Sequence, residues 1–348
     1  MAHMTNPLAT VDQLYQRTSF SALPSDLQDA IFFTTQCLTQ AAGILLRIPQ
    51  SVTAQANVIL ARYWLVESPL SHEFSDTSAA ALFLVAKLSA HPCPPRDVCN
   101  VYAYLLSPSS VLFRRNSNND NNKGKEVEGS GGNGGVDDKD KADPSSYYLS
   151  ETAYASFRTR ILALEARILY ALSFDTHVAL PHPLAVTYLQ ALDFLGLPRA
   201  RIARRAVAHL NAALLSPQLL YLTHQPHALA VAAIYAAARD AGAKMPDCAW
   251  WEVFDVDREE LGFLVVGMRS LEGWVRTLKE GDGEDGDGVL ARGMITRAYV
   301  EREMRKRGLR IGNGSAGVGG DGDGDDEMED EETALMRQMD EKAAELEG

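Results

Sequence analysis

Cysteine is scarce in this sequence. Its 348 residues include Cys37, Cys93, Cys99 and Cys248, and no two of them form a CxxC pair. Small secreted domains that depend on disulfides carry far more cysteine than this. The scarcity therefore excludes a disulfide scaffold and fits a reducing intracellular compartment.

Long apolar runs are missing as well. No stretch approaches the roughly 20 apolar residues that a membrane-spanning helix needs, and no signal peptide opens the chain. The opening MAHM is typical of an expression-tag remnant. We therefore expect no membrane partner.

The body of the chain lacks strong charge. Of the total net charge of −13, residues 311–348 contribute −11, from thirteen acidic and two basic residues, which leaves about −2 for residues 1–310. Proteins that bind nucleic acid usually present a basic surface to the phosphates. Direct nucleic-acid binding is therefore not expected.

Strand-like alternation is also hard to find, and helical periodicity dominates. Two segments are apolar nearly all round, DTSAAALFLVAKL (76–88) and HALAVAAIYAAARDAGAKMP (227–246). A helix of that kind is typically buried by neighbours on every side, and alanine lets those neighbours approach closely. The sequence predicts an all-α protein with two groups of about five helices, each around one alanine-rich helix.

Low-complexity segments divide the chain. We predict an N-terminal segment, a first helical group with a polar, glycine-rich insert, a second group, and a flexible tail that ends in an acidic tract. The predicted boundaries are 1–24, 25–175 with the insert at about 108–146, 176–280 and 281–348. Within the tail, residues 289–310 are basic and could form a solvated helix, contact RNA or act as a nuclear import signal.

Two charged residues lack an opposite charge on their own helix. The neighbours of Lys87 three and four residues away are Phe83, Leu84, Ala90 and His91. Those of Glu165 are Ile161, Leu162, Ile168 and Leu169. Lys87 could simply complement the end of its helix while its head stays in water. The two residues could also pair with each other, or face a partner protein together.

No catalytic or metal-binding set is recognisable. The histidine pairs in THVALPHP and THQPH have no cysteine or acid nearby to complete a ligand set. Hydrolase and kinase signatures are missing too. We predict no metal, no cofactor and no catalytic residues.

The segments around Lys87 and Glu165 resemble the cyclin family. LFLVAKLSAHP is similar to the end of the third cyclin-box helix, which carries a lysine, and ILALEARILYALSF to the fifth, which carries a glutamate. The segments RIPQSVTAQANVILARYW, PPRDVCNVYAYL and HVALPHPLAVTYLQALDFL resemble the L-type cyclins of transcription and splicing. The similarity runs in pieces over about residues 25–279.

The resemblance implies two tandem cyclin boxes and a non-catalytic, nuclear regulatory subunit. Its partner would be a cyclin-dependent serine/threonine kinase of RNA polymerase II transcription and pre-mRNA splicing, with splicing or transcription factors as further partners. Lys87 and Glu165 would clamp the backbone of the kinase's regulatory helix. Their apolar surroundings would be Phe83, Leu84, Leu162 and Leu169. Arg62 and Asp76 would form an ion pair inside the first box.

The sequence departs from the cyclin pattern in two places. Ser89 and Ala90 replace the acidic pair that usually follows the lysine, which leaves the choice of kinase open. An acidic tail stands where animal L-type cyclins carry an arginine-serine tail. A transcription factor with paired cyclin-type folds is the alternative, although it would need a basic face for nucleic acid.

Overall fold

The computed structural model describes residues 5–19, 23–107, 110, 148–195, 200–280 and 295–309, which all lie in one compact unit. The regular elements in these ranges are all helical, so the predicted all-α class is confirmed. The first six α-helices are α1 (Val11–Ser19), α2 (Ser25–Leu45), α3 (Gln50–Val66), α4 (Phe74–Leu88), α5 (Pro95–Leu106) and α6 (Glu151–Ala171). They are followed by α7 (Pro181–Ala191), α8 (Ala200–Ala213), α9 (Leu220–Thr223), α10 (Pro226–Asp240), α11 (Arg258–Glu280) and α12 (Arg297–Lys306).

Helix α4 is the centre of the first group. Every residue from Phe74 to Ala86 is buried, and the helix packs against α2, α3, α5 and α6. A chain of buried hydroxyl groups crosses this layer: the Ser78 hydroxyl lies 2.7 Å from Thr39 Oγ1 and 2.6 Å from Tyr102 Oη. These bonds satisfy the hydroxyl groups of Thr39, Ser78 and Tyr102 within the core. The apolar pattern of residues 76–88 therefore predicted the role of this helix correctly.

Helix α10 occupies the equivalent position in the second group. Its alanines are buried, and it packs against α7, α8 and α11. Each of the two alanine-rich helices is thus surrounded by others, as predicted. The boundaries 25–175 and 176–280 stay a prediction, because the hydrophobic core is continuous through both groups.

The two helices α2 and α3 approach each other closely at Gly43. A Cβ atom at this position would lie 2.7 Å from Thr53 Cγ2 and 3.1 Å from Thr53 Cβ. Both distances are shorter than normal carbon–carbon contacts of about 3.5–4.0 Å. The absence of a side chain at Gly43 is what allows α3 to come this near.

The N-terminal segment is part of the packed structure, which the sequence did not predict. Asn6 is buried; its Nδ2 donates to the carbonyl of Ala179 at 2.8 Å, and its Oδ1 accepts from the Ala179 amide at 2.7 Å. The Asn6 amide donates to Gln225 Oε1, and the Gln225 side chain donates back to the Asn6 carbonyl, both at 3.0 Å. Residue 6 therefore fastens the segment before α1 to the residues that precede α7 and α10.

Helix α12 lies within the predicted basic segment 289–310. Val300 and Met304 are fully buried, so the helix packs onto the body of the protein. Basic side chains of the helix and of the residue after it contact acids of the chain, including Arg297 with Glu301 at 2.9 Å and Arg307 with Asp26 at 2.8 Å. The predicted roles in RNA binding or nuclear import stay predictions.

Other predicted segments lie outside the described residues. These are the insert at about 108–146, apart from Ser110, the tag remnant 1–4, and the tail at 281–294 and 310–348. The four cysteines are within the described ranges, and all four are free thiols.

Candidate functional site

Lys87 of α4 and Glu165 of α6 contact each other. Such a pair was one of the alternatives that the sequence left open. Lys87 Nζ is paired with Glu165 Oε1. The lysine side chain is 51% exposed, whereas the glutamate side chain is only 7% exposed. The Lys87 ammonium also lies 5.5 Å from the centre of the Phe83 ring, within cation–π range. The pair is thus a buried acid held at the surface by a half-exposed cation.

A second ion pair joins the same two helices with the opposite polarity. Asp76, in the first turn of α4, accepts a 2.6 Å hydrogen bond from Arg160 Nε of α6. The acid therefore lies near the positive end of the α4 dipole, and Lys87 lies near its negative end. Together the two pairs fix the position of α6 against α4, which sets where Glu165 meets Lys87.

The predicted ion pair between Arg62 and Asp76 is wrong. Asp76 pairs with Arg160 instead, and Arg62 donates to the His177 carbonyl at 2.7 Å and to Asn6 Oδ1 at 3.4 Å. Burial lowers the pKa of Arg62, although the charge of Asp175 opposes this effect. Arg62 therefore connects α3 to the segment before α7, a role that its sequence neighbours did not reveal.

Surface exposure separates the predicted apolar residues into two classes. Leu84 is 1% exposed, so its assignment to a partner-facing surface is wrong; it belongs to the core because α4 is covered on that side as well. Phe83 is also buried, and its ring lies under the Lys87 ammonium. Leu162 is exposed and Leu169 is partly buried, so both present apolar surface beside Glu165.

Leu88 is a surface residue that the sequence reasoning missed. It follows Lys87 directly and is 59% exposed. An apolar residue at the very end of a buried helix, just before the proline-rich segment 92–95, could have marked it. The α4–α6 surface, as we call it below, consists of Lys87, Leu88, Leu162, Glu165 and Leu169.

The described parts of the chain show neither a metal-binding cluster nor a membrane-spanning helix. No group of three or more His, Cys, Asp or Glu residues within them could hold a metal ion. None of the described helices is both long and apolar enough to cross a membrane. The α4–α6 surface is therefore the candidate site that the sequence and the structure share.

The curated proteins that this chain is similar to are L-type cyclins or resemble them. The chain is 28% identical over 260 residues to cyclin-L2 of Homo sapiens, which covers 74% of this chain and 43% of that protein. It is 27% identical over 242 residues to cyclin-L1 of Gallus gallus, which covers 69% and 39%. An uncharacterized cyclin-L1-like protein of Schizosaccharomyces pombe is 29% identical over 225 residues, 65% of this chain and 76% of that protein. The chain thus spans less than half the length of the animal relatives.

A solved structure shows the same fold. A chain of the yeast RNA Pol II CTD kinase CTDK-1 complex matches with a TM-score of 0.55 at 13% identity, covering 91% of this chain and 87% of that chain. No protein-family model matches the sequence. The predicted resemblance to the cyclin family is confirmed by the sequence matches, and the relatives that carry it are L-type cyclins.

Proposed function

We propose that this protein is a cyclin that binds and activates a cyclin-dependent serine/threonine kinase through the α4–α6 surface. The kinase would carry out the phosphoryl transfer, and this chain would be its non-catalytic regulatory subunit. The observation that carries the proposal is the ion pair at this surface, which holds the buried Glu165 against the half-exposed Lys87 among apolar side chains. Its L-type relatives and the fold match support the same conclusion.

The geometry suits recognition of a helix backbone. Lys87 has ammonium N–H donors, Glu165 has carboxylate acceptors, and the two are held together before any partner arrives. Preformed polar groups cost less entropy on binding than groups that must first be ordered. Leu162 and Leu169 lie about one helical turn to either side of Glu165, and the exposed Leu88 follows Lys87, so apolar surface adjoins the pair, as a protein interface requires.

Activation would follow from differential binding. The surface would bind the active position of the kinase's regulatory helix and leave the inactive position unbound. The catalytic Lys–Glu pair inside the kinase would then be assembled. The name of the CTDK-1 complex supports a kinase of RNA polymerase II transcription, which would place this protein in the nucleus. The similarity to L-type cyclins supports a further role in pre-mRNA splicing.

The proposal predicts that Lys87→Ala and Glu165→Ala weaken kinase binding. The loss should reach about 2–5 kcal/mol for each residue if the complex buries it fully, because a buried charge then loses its partner. The kinase is first identified by purifying this protein with its partners from its native cell. Binding constants are then measured with the purified kinase, and activity is measured on a peptide substrate.

Lys244→Ala is the matched control, since the Lys244 side chain is 83% exposed in the loop after α10. It should bind the kinase as the unchanged protein does. Undiminished binding by the Lys87→Ala, Glu165→Ala double variant, checked to be folded at the assay temperature, would refute the assignment of this surface. Salt-sensitive binding of nucleic acid in a filter assay, without a kinase partner, would favour the transcription-factor alternative instead.

A further inference from the structure

A cleft of about 830 Å³ lies between α8 and α11, on helices other than those of the α4–α6 surface. The last residue of α10 and Phe33 of α2 complete its wall. Ionisable groups line it, namely Arg205, His209, Asp240, Arg269, Glu272, Arg276 and Lys279. With the histidine neutral, four cations face two acids, whereas residues 1–310 together carry a net charge of only about −2. The cleft is therefore a local basic site on a nearly neutral body.

Asp240 organises the cations at the base of the cleft. Its Oδ1 accepts from Arg269 Nη1 at 2.6 Å, and its Oδ2 lies 2.9 Å from His209 Nε2 and 3.8 Å from Arg205 Nε. Burial opposes ionisation of this acid, but the contacts with His209 and Arg269 lower its pKa overall. Asp240 is therefore a fixed anion that orients three basic side chains.

The arginines keep unused hydrogen-bond donors. A guanidinium has five N–H donors, and the contacts with Asp240 account for only one or two of them in each arginine. The side chains of Arg205 and Arg269 are still 60% and 45% exposed. The two guanidiniums are thus held in place from one side while their other side remains accessible.

Helix α8 adds to the positive charge. Its residues 200–213 include Arg201, Arg204 and Arg205 but no acid. Its apolar side is buried through Ile202 and Leu210, so the arginines lie on the exposed face. Glu272 is the other carboxylate in the cleft; its side chain is 89% exposed and lies 3.9 Å from Arg276 Nη2. That contact is long and solvent-screened, so it competes weakly for the Arg276 guanidinium.

We propose that this cleft binds a phosphorylated segment of another protein. A phosphoserine or phosphothreonine carries close to two negative charges and three acceptor oxygens, which several guanidiniums can contact at once. Phe33, Met268 and Val275 give the same cleft an apolar wall that suits the neighbouring peptide side chains. Nucleic acid would instead require a track of cations along a backbone, with aromatic rings for stacking. The proposal concerns a second docking site and does not depend on the kinase-binding surface.

The test uses the full chain and labelled short peptides with random flanks around a fixed phosphoserine or phosphothreonine. Two twin pools serve as controls. One carries unphosphorylated serine or threonine at the fixed position, and the other carries glutamate there. The phosphorylated pool should bind, and both twin pools should bind at least about tenfold more weakly. Equal binding by either twin pool, or no binding by the phosphorylated pool, would overturn the proposal.

Charge reversal locates the site. The exposed Arg205→Glu, Arg276→Glu double variant should lose about tenfold or more of the phosphopeptide affinity. The control variant Arg302→Glu, with the same kind of change on the exposed face of α12, should keep it. An equal loss of phosphopeptide affinity in the control variant would contradict a phosphopeptide cleft. So would a single-stranded RNA that binds the unchanged protein more tightly than the phosphopeptides do and no longer binds the double variant. Kinase binding should persist in the double variant, which separates this outcome from failure of the proposed function.

Discussion

Glu165 and Lys87 contribute unequally to the pair they form. The carboxylate is buried and depends on the ammonium, whereas the half-exposed lysine can turn to water. Removing one partner of an ion pair costs most when the charge left behind is buried, because that charge is then uncompensated.

This asymmetry makes a prediction about the isolated protein. Lys87→Ala should lower the free energy of unfolding by about 1–3 kcal/mol, because it leaves the Glu165 carboxylate buried without its cation. Glu165→Leu should cost less, since Lys87 can remain solvated. Urea unfolding of both variants measures the difference. A larger loss for Glu165→Leu would show that the carboxylate has a further stabilising role.

Single residues also show which contacts could be predicted from the sequence and which could not. The lack of intrahelical partners for Lys87 and Glu165 was visible in the spacing, and the structure brings the two together. The partner of Asp76 was not visible, because Arg160 reaches it from a helix more than 80 positions away. Leu84 was misassigned for a related reason: apolar spacing places a residue on a face of α4, but it does not show that every face is covered.

The contact between α2 and α3 depends on the missing side chain of Gly43. Gly43→Ala should destabilise the protein by about 1–3 kcal/mol, because the new methyl group would overlap the buried Thr53 and force the helices apart. Chemical denaturation measures the change.

Gly262→Ala is the control for this helix contact. Gly262 lies within α11, is exposed, and has no atom within 4 Å of an added Cβ. This variant should gain about 0.5–1 kcal/mol, because alanine favours a helix more than glycine does. Equal effects of the two substitutions would mean that helix propensity, and not the contact with Thr53, decides the outcome at Gly43.

Helices were easier to predict than the contacts between them. Uniform apolarity identified α4 and α10 as central helices, because a helix that is apolar on every side must be covered by other helices on every side. The cleft between α8 and α11 was not foreseen, since it brings Arg205 and Arg269 together around Asp240 from three separate helices. Such a cluster has no spacing signature within any one of them.

The stability of the whole protein should depend on pH through His182, which is partly buried. Burial lowers the pKa of His182, and its buried Nδ1 has no hydrogen-bond partner, while Nε2 lies 2.9 Å from Asn211 Oδ1. Protonation would place a second N–H in that unpartnered position. The folded pKa lies below the unfolded value of about 6.5, so the unfolded chain binds more protons between the two values. The His182 contribution is therefore complete above about pH 6.5 and is lost as the pH falls towards the folded pKa.

Urea unfolding at about pH 7.5 and about pH 5.5 tests this expectation. The unchanged protein should lose stability on acidification, by at most about 1.4 kcal/mol per pH unit for each such histidine. His182→Gln should lose less, and His91→Gln, at an exposed position, should lose as much as the unchanged protein. The same loss in all three would exclude His182 as a source of the pH dependence.

Asn6 has a consequence for how the chain is made. Two of its partners, Ala179 and Gln225, are 173 and 219 positions further along the sequence. A ribosome therefore releases the N-terminal segment long before these two residues exist, and domains that emerge early generally fold first. Asn6 can meet Arg62 earlier, but its bonds to Ala179 and Gln225 can form only after both residues have been synthesised. A segment that is translated early is thus completed late.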